Sequence, residues 1–438
     1  EEDWLMSIRG KFPEQRPTLN LDFANSKKLD PHITFTRTSI GTRVTEENVL
    51  ETISADDPRF DHDPTTGESL GLLIEELRTN DIRNSTMQGA ASGTPGTPPT
   101  NWLIYSTYSG LTREISAVGE ENGISYIDVR LHGVATGNPF TYAGFWPNGT
   151  TTTNSPATET SRYTFSSYVK HISGTVPSGS TFILVINNMN SSLANLNEYK
   201  TSTIISSSSI PSGDLIANRF ALTNTDFTST DTAYFRPYYQ WNVPYNTSFD
   251  VTIRIGLPQM EEGSFATSAI PTTDQGVTRT ADNVTMTGTN FSDWYNQDEG
   301  TAYVSQKLKA VQDTNRNNIV YMINGGSGSD YFYNAKKGDK NVFVFGDGGT
   351  NYSRFQDGTD STDTKTAFAY DVSGDDFKPY YNGIESTTES DSNTPSATSH
   401  NQLELGAISG SLGYCGHISK FTYYPSRLPN DQLQSLTK

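Results

Sequence analysis

RFDHDPTTGESLGLLIEELRTN, residues 59–80, sets Arg59, Asp61, His62, Asp63, Glu75, Glu76 and Arg78 around an apolar run from Leu70 to Leu77. Such a cluster is either a catalytic or metal-binding constellation or a structural junction. Local chemistry favours the junction. Asp61 and Asp63 flank His62 just before Pro64, and aspartates at tight turns bond to neighbouring backbone amides. Arg59 and Arg78 are placed to pair with carboxylates and pin the turn. Turn signals at Asp57-Pro58, Asp63-Pro64 and Thr66-Gly67 divide the surrounding region into strand, turn and strand.

Working outward, composition points the same way. Hydrophobic residues make up 33% of the 438 and aromatic residues 11%, with Ser, Thr, Asn and Gly abundant. Disordered chains are poor in aromatics, whereas many short half-buried strands joined by polar turns give this balance. An all-β chain of more than one domain is expected. The net charge of -18 argues against nucleic acid and anionic membrane surfaces as partners, since phosphate binding needs clustered Lys and Arg. No run of eighteen apolar residues occurs, so membrane insertion is not expected. Cys415 is the lone cysteine, which precludes an intrachain disulfide and fits assembly in a reducing cytoplasm. The chain opens on Glu1 rather than Met, as a processed, truncated or incompletely recorded chain would.

Strand signals organise the rest. Leu19, Leu21 and Phe23, then Ile33 and Phe35, alternate with polar residues and predict two short strands joined by a turn at Asp30-Pro31. NSTMQGAASGTPGTPPT, residues 84–100, is small, Pro-rich and uncharged, the composition of a linker. Dense alternating runs follow, among them RYTFSSYVKHI, STFILVINNM, AYFRPYYQWNV and SFDVTIRIGLPQM. The pattern restarts after Asp282 and ends in LPNDQLQSLTK, a short helix capped by Asn430 or Asp431. The expected organisation is an N-terminal attachment and junction module over 1–83, a linker over 84–100, and antiparallel β-sandwiches over 101–273 and 280–438.

Three stretches carry a resemblance. LDFANSKKLDPHITFTRTSIGTRV followed by PRFDHDPTTGESLGLLIEELRTN resembles the N-terminal module of bacteriophage tail and appendage proteins. IGLPQMEEGSFATSAIPTT with VTRTADNV resembles the segment closing a carbohydrate-binding-module-like jelly roll in those proteins. GTAYVSQ, NGIESTTE, LGAISG and GHISKFTYYPSRLPNDQLQSLT are similar to a concanavalin A/laminin-G-like sandwich, where a final short helix commonly follows the last strand. The resemblance implies a virion structural protein, assembled in the host cytoplasm, most simply a tail fibre or appendage component with lectin-like domains. It implies other virion proteins and host-surface glycan as partners, and a homotrimer. A head or neck decoration protein and a polysaccharide depolymerase are the alternatives.

Catalytic signatures are missing. No G-x-S-x-G, H-E-x-x-H or phosphate-cradling glycine loop occurs. Glu261 and Glu262 are adjacent on a predicted strand and point to opposite faces, unlike the facing carboxylates of a glycosidase. No enzyme activity and no resident cofactor are expected, calcium excepted. Asp347, Asp357 and Asp360, with Asp363, lie in the acidic loops of FGDGGTNYSRFQDGTDSTDTK and are weak candidate ligands for that hard cation. His417 beside Cys415 reads as a small buried pair.

For sugar binding, aromatic faces beside amides are the candidates. YAGFWPNG places Tyr142, Phe145 and Trp146 in a predicted loop next to Asn148. FKPYYNG adds Tyr380 and Tyr381. The aromatics of YFRPYYQWN are expected in the core or a subunit contact. At the N-terminus Trp4, Leu5, Ile8 and Phe12 form apolar anchors, suited to docking on the virion.

Overall fold

Alternation in Thr181–Met189 sends Phe182, Leu184 and Ile186 to one face, and all three are fully buried. That period of two recurs along the chain and, among the described residues, builds four large antiparallel sheets, stacked in two pairs, beside two two-stranded ones. The structure, a computed structural model, describes residues 15–149, 155–309, 317–326, 330–347, 350–358, 362–392, 399–406 and 414–438.

The middle sandwich packs two six-stranded sheets around one core. In one sheet the strand order is Arg219–Thr223, Tyr163–Ser173, Ser248–Glu262, Ile124–Val134, Leu111–Glu121 and Thr107–Tyr108. The other runs Asn195–Ser206, Thr181–Met189, Tyr234–Pro244, Phe140–Trp146 and Leu103–Ile104, with Ser155–Pro156 also pairing onto Tyr234–Pro244. Ile127, Val129, Phe165 and Ile253 from the first sheet meet Phe145, Phe182, Tyr239 and Trp241 from the second.

The last sandwich contains two eight-stranded sheets. Its core joins Val304, Phe368, Tyr370, Phe421 and Tyr423 of one sheet to Val320, Ile323, Phe332, Phe343 and Phe345 of the other. A helix over Asn430–Thr437 covers the outer side of the first sheet, packing Leu433 with Tyr303, Tyr380 and Tyr424. Its cap is Pro429, one residue earlier than expected, and no side chain caps it. Asn430 Oδ1 accepts instead from Arg427 Nη2 at 2.7 Å.

The N-terminal segment is not a separate module over residues 19–74. Leu19–Asp22 pairs with Gly416–Tyr424, as does Ser69–Ile74, and Arg59–His62 continues the same sheet. Thr34–Thr36 instead pairs with Asn283–Thr287 in the facing sheet. The two short strands predicted on either side of Asp30-Pro31 therefore belong to opposite layers, with a short helix, Phe23–Ser26, after the first. Alternation reports which residues are buried, and it cannot report which strand, hundreds of residues away, supplies the hydrogen bonds.

Residues 84–100 are likewise structured. Met87 enters the middle core, Asn84 Nδ2 donates to the carbonyls of Gln88 and Thr100 at 2.9 Å, and Gly93 bridges to Ile115. A Pro- and Gly-rich composition here serves tight turns rather than a flexible tether.

The 59–80 stretch sits where the two sandwiches meet. Arg59 donates to Glu75 Oε2 at 2.8 Å, Ser268 Oγ at 2.8 Å and Asp282 Oδ2 at 2.5 Å. Asp282 also accepts from Arg37 Nη1 at 3.0 Å and from the Glu75 amide at 2.8 Å. Lys309 Nζ reaches Glu75 Oε1 at 2.9 Å. Burial alone would push the Glu75 carboxyl up, but Arg279, Lys309 and Arg59 hold it well below the carboxylate range. Asp63 makes the expected local turn, accepting from the Thr65 and Thr66 amides at 2.8 and 3.0 Å. Asp61 reaches further, to the Val44 amide at 2.7 Å and His417 Nε2 at 2.8 Å. His417 thus pairs with Asp61 rather than Cys415, whose buried thiol is pushed up by desolvation.

Candidate functional site

On the outer face of the second middle sheet, side chains opposite the core line up across the strands. Phe140–Trp146 is a strand, not a loop. Its inward residue Phe145 is fully buried against Tyr108 and Phe182. Trp146, the next residue, consequently faces outward. Its ring stacks on Tyr238 at 5.6 Å between centroids and receives Tyr105 edge-on at 5.8 Å.

Gly144 explains how the indole lies. A Cβ at Gly144 would stand 2.4 Å from the Trp146 Cη2 atom, so the ring lies across the sheet over the glycine. Ile183, Val185 and Tyr238 complete a small apolar patch beneath and beside it. Around this patch stand Tyr142, 56% exposed, Tyr105, 49%, and Tyr199, 45%.

The register supplies polar neighbours. Tyr142 lies opposite Asn242, Gly144 opposite Gln240, and Arg236 opposite Asn187, which in turn lies opposite Tyr199. Gln240 Nε2 donates to Asn242 Oδ1 at 2.6 Å, and Asn242 Nδ2 to Thr181 Oγ1 at 3.1 Å. At the other end Asn195 Nδ2 donates to the Tyr199 hydroxyl at 2.6 Å. Desolvation lowers the Arg236 guanidinium from its ordinary value. The face therefore offers a flat indole, exposed phenols, a row of amides and one guanidinium. That combination suits the apolar faces and hydroxyl rims of sugars.

Of the sequence candidates, Tyr142 and Trp146 belong to this face. Phe145 does not, because one residue along a strand reverses the direction of the side chain. Asn148 is also withdrawn: it is buried, accepting from the Arg83 amide at 2.9 Å and donating to the Asp81 carbonyl at 3.0 Å. Tyr380 and Tyr381 are buried as well. Tyr380 lies under the C-terminal helix with its hydroxyl on Glu385 Oε2 at 2.9 Å, and Tyr381 is part of the last core. Neither is open to a ligand.

Tyr105, Asn187, Arg236, Gln240 and Asn242 were not singled out from sequence, and neither was the outward role of Tyr238. A signal existed in YFRPYYQWNVP, residues 234–244. Strict alternation there places Arg236, Tyr238, Gln240 and Asn242 on one face and Phe235, Tyr239, Trp241 and Val243 in the core.

The calcium reading gains no support from the described residues. Asp357 Oδ2 accepts from the Ser386 hydroxyl and from the Thr388 amide at 3.0 Å, closing a loop. Asp363 begins a strand. Among the described residues no three His, Cys, Asp or Glu side chains are grouped to hold a metal. Asp360 and the side chain of Asp347 lie outside the described residues, as do Trp4, Leu5, Ile8 and Phe12. Glu261 is buried and Glu262 exposed, on opposite faces as predicted; Glu261 accepts from the Thr267 amide at 2.9 Å and its hydroxyl at 2.7 Å.

No protein-family model matches the chain, and no curated protein does. Among solved structures, the chain is similar to the CBM40 of the Ruminococcus gnavus IT-sialidase bound to alpha2,3 sialyllactose. That match has 19% identity over 33% of this chain and 84% of that one, with a TM-score of 0.28. The NanB sialidase of Streptococcus pneumoniae matches at 16% identity over 35% of this chain and 26% of that one, TM-score 0.30. Domain 4 of AbnA, a GH43 arabinanase from Geobacillus stearothermophilus, in complex with arabinotriose, matches at 14% identity over 36% and 73%, TM-score 0.29.

Proposed function

We propose that the chain is a bacteriophage virion protein, a tail fibre or appendage component, whose middle sandwich recognises host-surface glycan on the Trp146 face. The observation that carries the glycan reading is the indole laid flat over Gly144, flanked by exposed Tyr142 and Tyr105 and by the amides of Gln240 and Asn242. A sugar stacks its C–H face on the indole while its hydroxyls bond to the amides. Recognition proceeds by complementary surfaces, without a bond-breaking step. The virion reading draws on the wording and order of the sequence motifs at residues 21–44 and 58–80. A homotrimer projecting from the particle would present several such faces, and weak single contacts would add through multivalency.

The test is binding of the purified chain to a host-envelope polysaccharide panel, beside the Trp146→Ala variant. Saturable binding lost in the variant supports the reading. Sugar release would instead support a depolymerase, and the absence of any binding would leave a decoration protein with structural contacts alone. Immunogold labelling of intact particles tests the virion assignment separately: label at the distal tail supports it, and particles without label refute it.

A further inference from the structure

A second concavity lies away from the Trp146 face, where three parts of the chain converge. It is a half-enclosed cavity of about 190 Å³. The N-terminal segment contributes Val44 and His62, the middle sandwich Tyr168 and Arg219, and the last sandwich Lys309 and His417. A cavity of about 150 Å³ holds a benzene ring, so this one takes a ring-sized molecule.

Its walls define the chemistry of an occupant. Val44, Leu50, Tyr168 and Ile216 form an apolar side. Arg219 spends Nη1 on the Thr267 carbonyl at 2.5 Å and Nη2 on Ser166 Oγ at 3.0 Å, and its Nε has no partner among the described residues. Lys309 has three N–H donors, of which Glu75 takes one. These donors have no further acceptor among the described residues. His62 is opposite in kind. Its Nδ1 donates to the Val44 carbonyl at 3.1 Å, so that in the neutral ring Nε2 is an acceptor. That nitrogen also has no partner among the described residues, on a side chain that is only 4% exposed. A buried unsatisfied polar atom costs free energy unless something bonds to it.

We infer that this cavity binds a small hydroxy acid with an apolar or ring-shaped body, its carboxylate taken by Arg219 and Lys309 and its hydroxyl by His62. Among the described residues Asp61 is the one carboxylate on the wall, and it is occupied by the Val44 amide and His417, so it does not repel the ligand unopposed. Because the walls come from both sandwiches, an occupant also ties one to the other.

The experiment is calorimetric titration of the full chain with mandelate as the probe, and with benzyl alcohol and benzoate as probes lacking the carboxylate and the hydroxyl. Mandelate is expected to bind saturably in the millimolar range, as suits a ligand of its size. Benzyl alcohol should bind about tenfold more weakly, and benzoate should also bind more weakly than mandelate. Arg219→Met should weaken mandelate about tenfold. Leu70→Trp, at a half-buried position on the wall, fills the space without touching the polar groups and should abolish binding, which keeps the test decisive if Arg219→Met does not fold. Trp146→Ala should bind mandelate unchanged, separating this site from the glycan face. Absence of saturable binding, equal binding of benzyl alcohol, or undiminished binding by Leu70→Trp would each overturn the inference.

Discussion

Asp61 and His417 stand 356 residues apart in the chain and 2.8 Å apart in space. Both are buried, and the contact joins the N-terminal segment to the strand Gly416–Tyr424 of the last sandwich. Burial pushes the Asp61 carboxyl up, but the His417 hydrogen bond, the His417 and Lys309 charges and the Val44 amide more than offset it, leaving it below its ordinary value. A depressed carboxylate contributes stability that is complete above its unfolded value of about 3.9 and is lost as pH falls through the folded value. Asp61→Asn should therefore flatten the acid limb of a denaturation series taken below about pH 4. His417→Ala, which strands the carboxylate, should cost about 3–5 kcal/mol in urea unfolding at pH 7.

His400 gives a second, separate pH response. Desolvation, partly opposed by Asp330, lowers the imidazole to about 4, and its Nδ1 lies 2.7 Å from the Tyr295 hydroxyl. The unfolded chain, titrating near 6.5, binds the proton first. Stability should thus decline as pH falls from about 6.5 to 4, by roughly 3 kcal/mol from this residue. His400→Gln should remove that slope while leaving the Asp61 limb below it intact, as read by thermal unfolding across pH.

Neighbours on one strand should respond in opposite ways. Phe145→Ala empties a fully buried site and should cost about 3–5 kcal/mol. Trp146→Ala removes a partly exposed ring and should cost far less stability while losing glycan binding. Paired unfolding and binding measurements would reverse the assignment of faces if the two effects were exchanged.

Cutting the chain tests the shared sheet. A fragment of residues 280–438 alone leaves the edge of Gly416–Tyr424 without Leu19–Asp22 and Ser69–Ile74 and its core without Leu21, Phe23, Leu72 and Ile74. It should not give cooperative unfolding, and adding residues 15–83 in trans should restore it. A fragment of residues 80–275, which retains Ile82 and Met87, should unfold cooperatively by itself.

Gly71 marks a close crossing in that sheet. Its φ is +91°, and a Cβ there would stand 2.4 Å from the Ile418 carbonyl oxygen. Gly71→Ala should cost on the order of 1–3 kcal/mol through backbone strain, measured as a lower urea midpoint with unchanged slope.

Much of this was readable along the chain. Period-two alternation and turn residues pointed to an all-β protein, to a strand within STFILVINNM and to the opposed directions of Glu261 and Glu262, because these depend on neighbours a few residues away. Direction within YAGFWPNG was missed, since aromatics in succession hide the period and Gly144 resembles a turn residue rather than space for an indole. The ionic cluster of residues 59–80 reads as a junction in either description. Its partners Asp282, Lys309 and His417 lie too far along the chain for any local pattern to name. Strand pairing and burial of charge are long-range events: hydrogen bonds across a sheet accept any backbone, so the choice of neighbour is settled by how whole layers pack, and with it which side chains meet at a site.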